Sequence, residues 1–411
     1  MSVETMRWLD RWLGVPLCFL LSLGARWRGW LPARQATTAR PRRVLCIQLA
    51  EMGSLVLVGP SLQWLRSQGL VPSFVSFARN RECLSMVGMG DAERVFLWRT
   101  DTAWVFGRDF LRFLAWAWRQ RFDVSIDFEP CSRFSALLGL LAGARQRAGF
   151  AHDGVYRGRL HNLPVPYRDD RHMSENCLAL ATALLPSEVP RPWPLIEVAW
   201  REQIAAALDA GDRAHVTEVL GRALPMAATH CLILLNANAG DLLPQRRWPA
   251  DRYVVLAQRL LQTHPDVCIG FIGAPADGLA IDGMVNAVRS SRCASLAGAV
   301  SVGQLPALFS RSRLLVSNDS GPAHIASLTQ TPTLVLFGPE TPLLYLPLGR
   351  ARPLYAALPC SPCIRPANQR RSNCTDNRCM QAISVDSVLG EVDAMLEAAD
   401  RDDRRPASAD S

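Results

Sequence analysis

The chain has 411 residues, of which 49% are hydrophobic and 20% charged, enough apolar content for two packed domains and too much for a disordered protein. Its net charge is +8 at pH 7, and because lysine is absent all 45 basic side chains are arginine. That excess favours an anionic partner (membrane, nucleic acid or nucleotide) without choosing among them, although the guanidinium fork suits phosphate. Nucleic-acid binding has no further support than this charge. The twelve cysteines are scattered, several within apolar runs, as reduced thiols of a cytosolic protein would be.

Residues 1–42 read as an amphipathic membrane-interface segment. A mostly apolar stretch over 12–25, too short to span a bilayer comfortably, is broken by Gly14-Val15-Pro16. Arg7 and Arg11 precede it, Arg26 and Arg28 follow it, and Trp8, Trp12, Trp27 and Trp30 bracket it. Tryptophan and arginine around a short apolar segment suit a helix lying in the membrane interface. A cleaved signal peptide and a helix docked on the domain surface are the rival readings; the basic residues that follow disfavour export.

From Arg43 short apolar strands alternate with helical stretches. Strands are expected over 44–49, 74–77, 94–97 and 124–128 and a helix over 56–68, a pattern that predicts a parallel, doubly wound domain over 43–185. The turn Ala50-Glu51-Met52-Gly53-Ser54 after the first strand begins no G-x-G-x-x-G fingerprint, which disfavours an NAD-linked oxidoreductase. Residues 104–122 carry Trp104, Phe106, Phe110, Phe113, Trp116 and Trp118 among Arg108, Arg112, Arg119 and Arg121. Such a helix could face lipid or an acyl-linked acceptor, but burial of one face in the core is the preferred reading. Glu129 follows the fourth strand, and Ser132 and Arg133 open the next helix, where they either position an acceptor anion or serve its cap.

Four prolines mark 186–195 as an extended linker. A second α/β domain is expected over 196–399, with helices near 201–210, 251–262 and 386–398 and strands over 231–235, 267–272, 314–317 and 333–337. The polar tail 400–411 reads as disordered. Asn238 and Gly240 lie in a turn after the 231–235 strand that can present N–H donors, and Arg246 and Arg247 precede Trp248-Pro249. Asp277, after the next strand, is a candidate for a nucleoside ribose or a simple helix cap. Cys360-Ser361-Pro362-Cys363, with Cys374 and Cys379, has the spacing of a structural four-thiolate zinc site; a loop with free thiols or a local disulfide is the preferred reading.

The most informative stretch is Ser317-Asn318-Asp319-Ser320-Gly321-Pro322-Ala323-His324. An apolar strand leads through a tight turn to a helix that Pro322 can open, and Gly321 permits close approach of a ligand. The backbone donors of Ser320 and Gly321 at a helix N-terminus suit a phosphate. Asp319 would repel a bare phosphate and would instead accept hydrogen bonds from hydroxyls. Phosphate beside a polyol describes a nucleotide sugar; an ordinary capped strand–turn–helix junction is the competing reading.

That stretch, followed by Thr331-Pro332-Thr333-Leu334-Val335-Leu336-Phe337-Gly338-Pro339-Glu340-Thr341-Pro342, resembles the signature of glycosyltransferase family 9, which contains the ADP-heptose:lipopolysaccharide heptosyltransferases. The resemblance covers the chain from about residue 43 to 398. It implies a GT-B type α/β architecture, two Rossmann-like domains facing a central cleft, with the donor on the C-terminal one. It also implies that Arg246, two positions before Trp248, meets donor phosphate, that His324 contacts the donor or packs, and that no catalytic metal is needed. Where the family usually has Gly-Asp, with the Asp as base, this chain has Gly53-Ser54. A serine hydroxyl cannot act as a base unaided, so Glu51 or Glu129 is expected in that role, with another residue or none as the remaining possibilities.

The expected function is an inverting, metal-independent transfer of a sugar, such as heptose from ADP-heptose, to a lipid-linked saccharide such as lipopolysaccharide core. The place expected is the inner face of the cytoplasmic membrane. The alternative is a catalytically inactive nucleotide-sugar-binding scaffold or sensor at the membrane.

Overall fold

The computed structural model describes residues 3–27, 41–49, 51–152, 155–185, 209–240 and 243–404. The expected linker at 186–195, most of the helix expected at 201–210 and the tail beyond 404 lie outside the described residues. The chain divides into two compact units, Met1–Trp200 with Ile364–Arg371, and Arg201–Cys363 with Ser372–Ser411.

The first unit opens with helices α1 (Val3–Trp12) and α2 (Gly14–Trp27), Gly14-Val15-Pro16 starting the second helix. Then follow β1 (Arg43–Ile47), α3 (Met52–Ser67), β2 (Val71–Phe77), α4 (Arg81–Met86), β3 (Val95–Trp98), α5 (Ala103–Gln120), β4 (Val124–Asp127), α6 (Arg133–Leu141), β5 (Gln146–Ala151), β6 (Leu163–Pro166) and α7 (Met173–Thr182). The sheet order is β3-β2-β1-β4-β5-β6 and every pairing is parallel. β4 is buried along its whole length, as a parallel strand covered on both faces must be. On one face Leu45 and Ile47 of β1 pack with Trp98, with Phe113 and Ala117 of α5 and with Leu138 of α6.

The N-terminal segment is docked on this unit. α6 is apolar nearly all round and has no exposed residue, because α2 covers it: Cys18 packs against Ala136, Leu137 and Leu160. The core reading of α5 describes only one of its faces, since Trp104, Leu111 and Trp118 remain exposed.

The second unit contains α8 (Ala210–Ala223), β7 (Cys231–Asn236), α9 (Ala250–Thr263), β8 (Val267–Phe271), α10 (Gly278–Val288), β9 (Cys293–Ser295), α11 (Leu305–Ser310), β10 (Leu314–Asn318), α12 (Gly321–Ala326), β11 (Thr333–Phe337), α13 (Pro342–Tyr345), β12 (Ala351–Tyr355), α14 (Arg378–Gln381) and α15 (Val385–Arg404). Its order is β12-β11-β10-β7-β8-β9, again wholly parallel. α15 runs five residues into the tail expected to be disordered, where Asp400 pairs with Arg313. Asp400 and Arg401, at the start of that tail, are exposed on a helix whose Val388, Val392, Met395 and Leu396 join the core.

Each sheet grows in both directions from its first strand, reversing between β1 and β4 in one unit and between β7 and β10 in the other. Loops leaving the carboxyl ends of such paired strands are where doubly wound sheets bind ligands.

Candidate functional site

In the second unit, Ser317 of β10 is in register with Asn236 of β7. This neighbour relation lets Asn236 Nδ2 donate to Ser317 Oγ and Ser320 Oγ, both at 2.9 Å. Asn318 Oδ1 accepts from the Trp248 backbone N–H at 3.0 Å, and its Nδ2 donates to the Ala237 carbonyl at 2.9 Å. Burial pushes the pKa of the Tyr253 phenol up, and its hydroxyl donates to the Asn236 carbonyl at 3.1 Å. Two asparagines thus tie together the loops after β7 and β10 and the approach to Trp248.

These ties fix a cluster of charges. Arg246 Nη1 lies 3.7 Å from Asp319 Oδ2 and 3.7 Å from Glu340 Oε2. All three are buried: Arg246 is 8% exposed, Asp319 3% and Glu340 1%. His324 Nε2 stands 4.0 Å from Asp319 Oδ1. Both contacts of the guanidinium exceed hydrogen-bond length, and Arg246 Nε and Asp319 Oδ2 are buried with no hydrogen-bond partner. Leaving such groups unsatisfied is costly, so the arrangement has one donor and one acceptor in reserve for a ligand that brings an oxyanion and a hydroxyl.

Sequence reasoning placed Arg246, Asp319 and His324 in the site, and the structure brings them together. It missed Glu340, which lies in the Gly338-Pro339-Glu340 turn at the end of β11; a carboxylate directly after a buried strand next to β10 was the available signal. Ser320 is the N-cap of α12, but its hydroxyl donates to the Asn318 carbonyl at 3.1 Å rather than to any ligand position. Gly240 adopts φ +68°, a left-handed conformation that suits glycine, and Asn238 Oδ1 accepts from the Ala239 N–H at 3.2 Å. Asp277 Oδ2 accepts from the Ala274 N–H at 2.9 Å, which is the capping role.

In the first unit the corresponding loops carry both candidate bases. Glu51 is the N-cap residue of α3 and its Oε1 lies 2.7 Å from Arg370 Nη1, contributed by the Ile364–Arg371 segment of the same unit. Ser54 sits in the first turn of α3, half-buried. Glu129 is buried, and its Oε1 accepts from the Leu49 N–H at 2.7 Å and Gln48 Nε2 at 3.0 Å. It therefore ties the end of β4 to the end of β1.

Ser132 and Arg133 are engaged within the chain, in line with the capping alternative. Ser132 is the N-cap of α6, accepting from Ser135 N–H at 3.2 Å. The anion at this helix N-terminus is the chain's own Asp10: its Oδ1 accepts from the Arg133 and Phe134 N–H groups, each at 2.8 Å, and its Oδ2 lies 3.2 Å from Arg133 Nη1. Arg133 also donates to the Tyr156 carbonyl at 3.1 Å, so a buried guanidinium is already engaged.

The cysteine-rich loop braces the charged cluster. Cys363 N–H donates to the Pro339 carbonyl at 2.9 Å, Ser361 Oγ donates to the Gly338 carbonyl, and Asn377 Nδ2 donates to the Arg247 carbonyl at 3.1 Å. Cys360 is exposed, whereas burial pushes the Cys379 thiol up to about 11. Among the described residues no group of three or more His, Cys, Asp or Glu side chains is arranged to hold a metal ion. A cavity of about 680 Å³ bordered by His230, His264 and Asp400 lies at the amino ends of β7 and β8, opposite the charged cluster.

Two parallel, doubly wound units, each with its polar loops gathered where strand order reverses, define a GT-B type protein. The chain belongs to glycosyltransferase family 9: the model of that family, described as glycosyltransferase family 9 (heptosyltransferase), matches residues 114–372, more than half of the chain. Lipopolysaccharide heptosyltransferase 2 of Salmonella typhimurium is 27% identical over 230 residues, 54% of this chain and 61% of that protein. The chain thus aligns with somewhat under two thirds of this relative's length. The solved structure of Escherichia coli ADP-heptose lps heptosyltransferase II has a TM-score of 0.64 at 20% identity, over 87% of this chain and 99% of that one. Escherichia coli heptosyltransferase WaaC with ADP gives 0.61 at 17% identity, over 86% and 99%. Both share the fold.

Proposed function

We propose that this chain is an inverting glycosyltransferase that moves a sugar, heptose from ADP-heptose, to a lipid-linked saccharide such as lipopolysaccharide core at the inner face of the cytoplasmic membrane. Family membership, the names of its relatives and the ADP in the WaaC structure support the reading. The observation that carries it is Arg246 held between two buried carboxylates, with Nε and Asp319 Oδ2 in reserve.

In this mechanism the guanidinium of Arg246 turns its unused donor to the diphosphate and stabilises the charge that develops on ADP as the bond from the anomeric carbon to the phosphate oxygen breaks and ADP departs. Asp319 accepts from a sugar hydroxyl, which orients the anomeric carbon, and Glu340 holds Arg246 from the other side. Glu51 receives the proton of the acceptor hydroxyl as the new bond forms. Glu129 positions the loop that carries Glu51.

Calorimetry with ADP and ADP-heptose tests the donor site. The wild type binds, and Arg246→Ala weakens ADP by about 10- to 100-fold, the value of a charge-assisted hydrogen bond. Arg246→Lys, which keeps the charge between Asp319 and Glu340, guards against a folding defect. A wild type indifferent to both ligands, or a folded Arg246→Ala protein with full affinity, refutes the reading.

A further inference from the structure

We propose that the outward faces of α2 and α5 together form a docking surface for an anionic lipid bilayer. This deepens the reading of a lipid-linked acceptor, on which it rests for its purpose, by naming the surface that brings the protein to lipid.

α2 is packed inside out. The residues it turns to the protein are small: Gly14, Cys18 and Ser22 recur at four-residue spacing and are buried. A Cβ on Gly14 would come within 3.0 Å of the Arg133 side chain, and Ser22 Oγ accepts from the Arg159 N–H at 2.8 Å. The large apolar side chains point away. Among residues 8–23 the exposed ones are Trp8, Arg11, Trp12, Leu13, Pro16, Leu17, Phe19, Leu20 and Leu23, which include one cation and no acid. Small residues inward and bulky ones outward are the pattern of a helix whose outer medium is lipid. At 1.5 Å per residue α2 is about 21 Å long, shorter than the ~30 Å hydrocarbon layer, so it lies along the interface. Among the described residues no helix is long and apolar enough to cross a membrane.

α5 adds a second row. Trp104, Leu111 and Trp118 recur every seven residues and are 79%, 66% and 62% exposed. The other exposed side chains of this helix include Arg108, Arg112 and Arg119, while its only acid, Asp109, is buried. The two rows share one side of the first sheet. Phe106 of α5 meets Phe134 of α6 with ring centroids 5.5 Å apart, Trp118 Nε1 donates to the Leu141 carbonyl at 3.0 Å, and α2 lies over α6.

The charge decides the occupant. Among the described residues the exposed charged side chains of 8–23 and of α5 are arginines, with an exposed Asp101 just before α5, a balance that complements a layer of acidic headgroups, and tryptophan favours the headgroup boundary. A second copy joined through the same face would set arginine against arginine.

Flotation of the full-length protein with vesicles of phosphatidylethanolamine and phosphatidylglycerol (3:1), against vesicles of phosphatidylcholine, tests this. The wild type floats with the anionic vesicles. Phe19→Ser/Leu20→Ser and Trp104→Ser/Leu111→Ser each lower the bound fraction about tenfold or more, given the apolar area withdrawn from lipid. Arg108→Glu/Arg119→Glu removes the preference for anionic vesicles. Thermal melts confirm that the variants fold, and unchanged ADP affinity separates this result from failure of the donor site. The proposal is overturned if the wild type stays with the soluble fraction, if the folded variants float as well as it does, or if sedimentation shows a dimer that the apolar substitutions dissolve.

Discussion

Glu51 and Glu129 stand at the carboxyl ends of adjacent strands in different company. Glu51 meets a guanidinium from the loop segment at 2.7 Å, while Glu129 spends an oxygen on Leu49 N–H and Gln48. With Glu51 as base, Glu51→Gln lowers kcat by about 10²- to 10⁴-fold and leaves ADP affinity intact. Glu129→Gln keeps the accepting oxygen and melts near the wild type, whereas Glu129→Ala strands buried donors and costs about 1–3 kcal/mol in denaturant unfolding. Normal turnover by Glu51→Gln, together with a folded but inactive Glu129→Gln, would transfer the base role to Glu129. Arg246 and Asp319 were legible in the sequence because each lies in a short motif beside a strand end. Arg133 was not, because the group that occupies it is Asp10, 123 positions away.

At the scale of elements, α6 shows how a local signal and its tertiary use diverge. Serine followed by arginine at a helix start read as a place for an acceptor anion or as a cap, and the carboxylate that sits there belongs to α1. Asp10→Ala leaves the buried Arg133 guanidinium without its counter-charge and is expected to cost about 3 kcal/mol, read as a lower Tm, with Asp10→Asn intermediate. β1, β4, β7 and β10 were readable as apolar runs. β5 was not, because Gln146-Arg147-Ala148-Gly149 is polar and small, nor were β6 and β12, since Leu163-Pro164-Val165-Pro166 and Ala351-Arg352-Pro353-Leu354-Tyr355 carry the prolines and exposed side chains of edge strands. β9, three residues long, gave no period to detect.

At the scale of the molecule, two-unit division and parallel sheets followed from strand–helix alternation, but the return of Ile364–Arg371 to the first unit did not. No local pattern announces that a loop crosses back. Acid unfolding of the first unit should report the buried carboxyl of Asp109. Hydrogen bonds from Arg99 hold Asp109 at about 2, with burial opposing them and Arg112 assisting. A folded pKa below the unfolded value makes this contribution complete above about pH 5 and lost as the pH falls from about 4 toward 2. Asp109→Asn is therefore expected to unfold more readily at neutral pH and to show a flatter loss of stability across that acid window, measured by denaturant titration at each pH. An unaltered acid slope would remove Asp109 from the account.

The contact between Asp10 and Arg133 also has a tempo. The aspartate emerges from the ribosome 123 residues ahead of the helix it caps. At roughly 5–20 residues per second the first two helices wait on the order of ten seconds with nothing of their own to cover. For that interval the apolar side chains of α1 and α2 stand without the helix that later covers one of their faces.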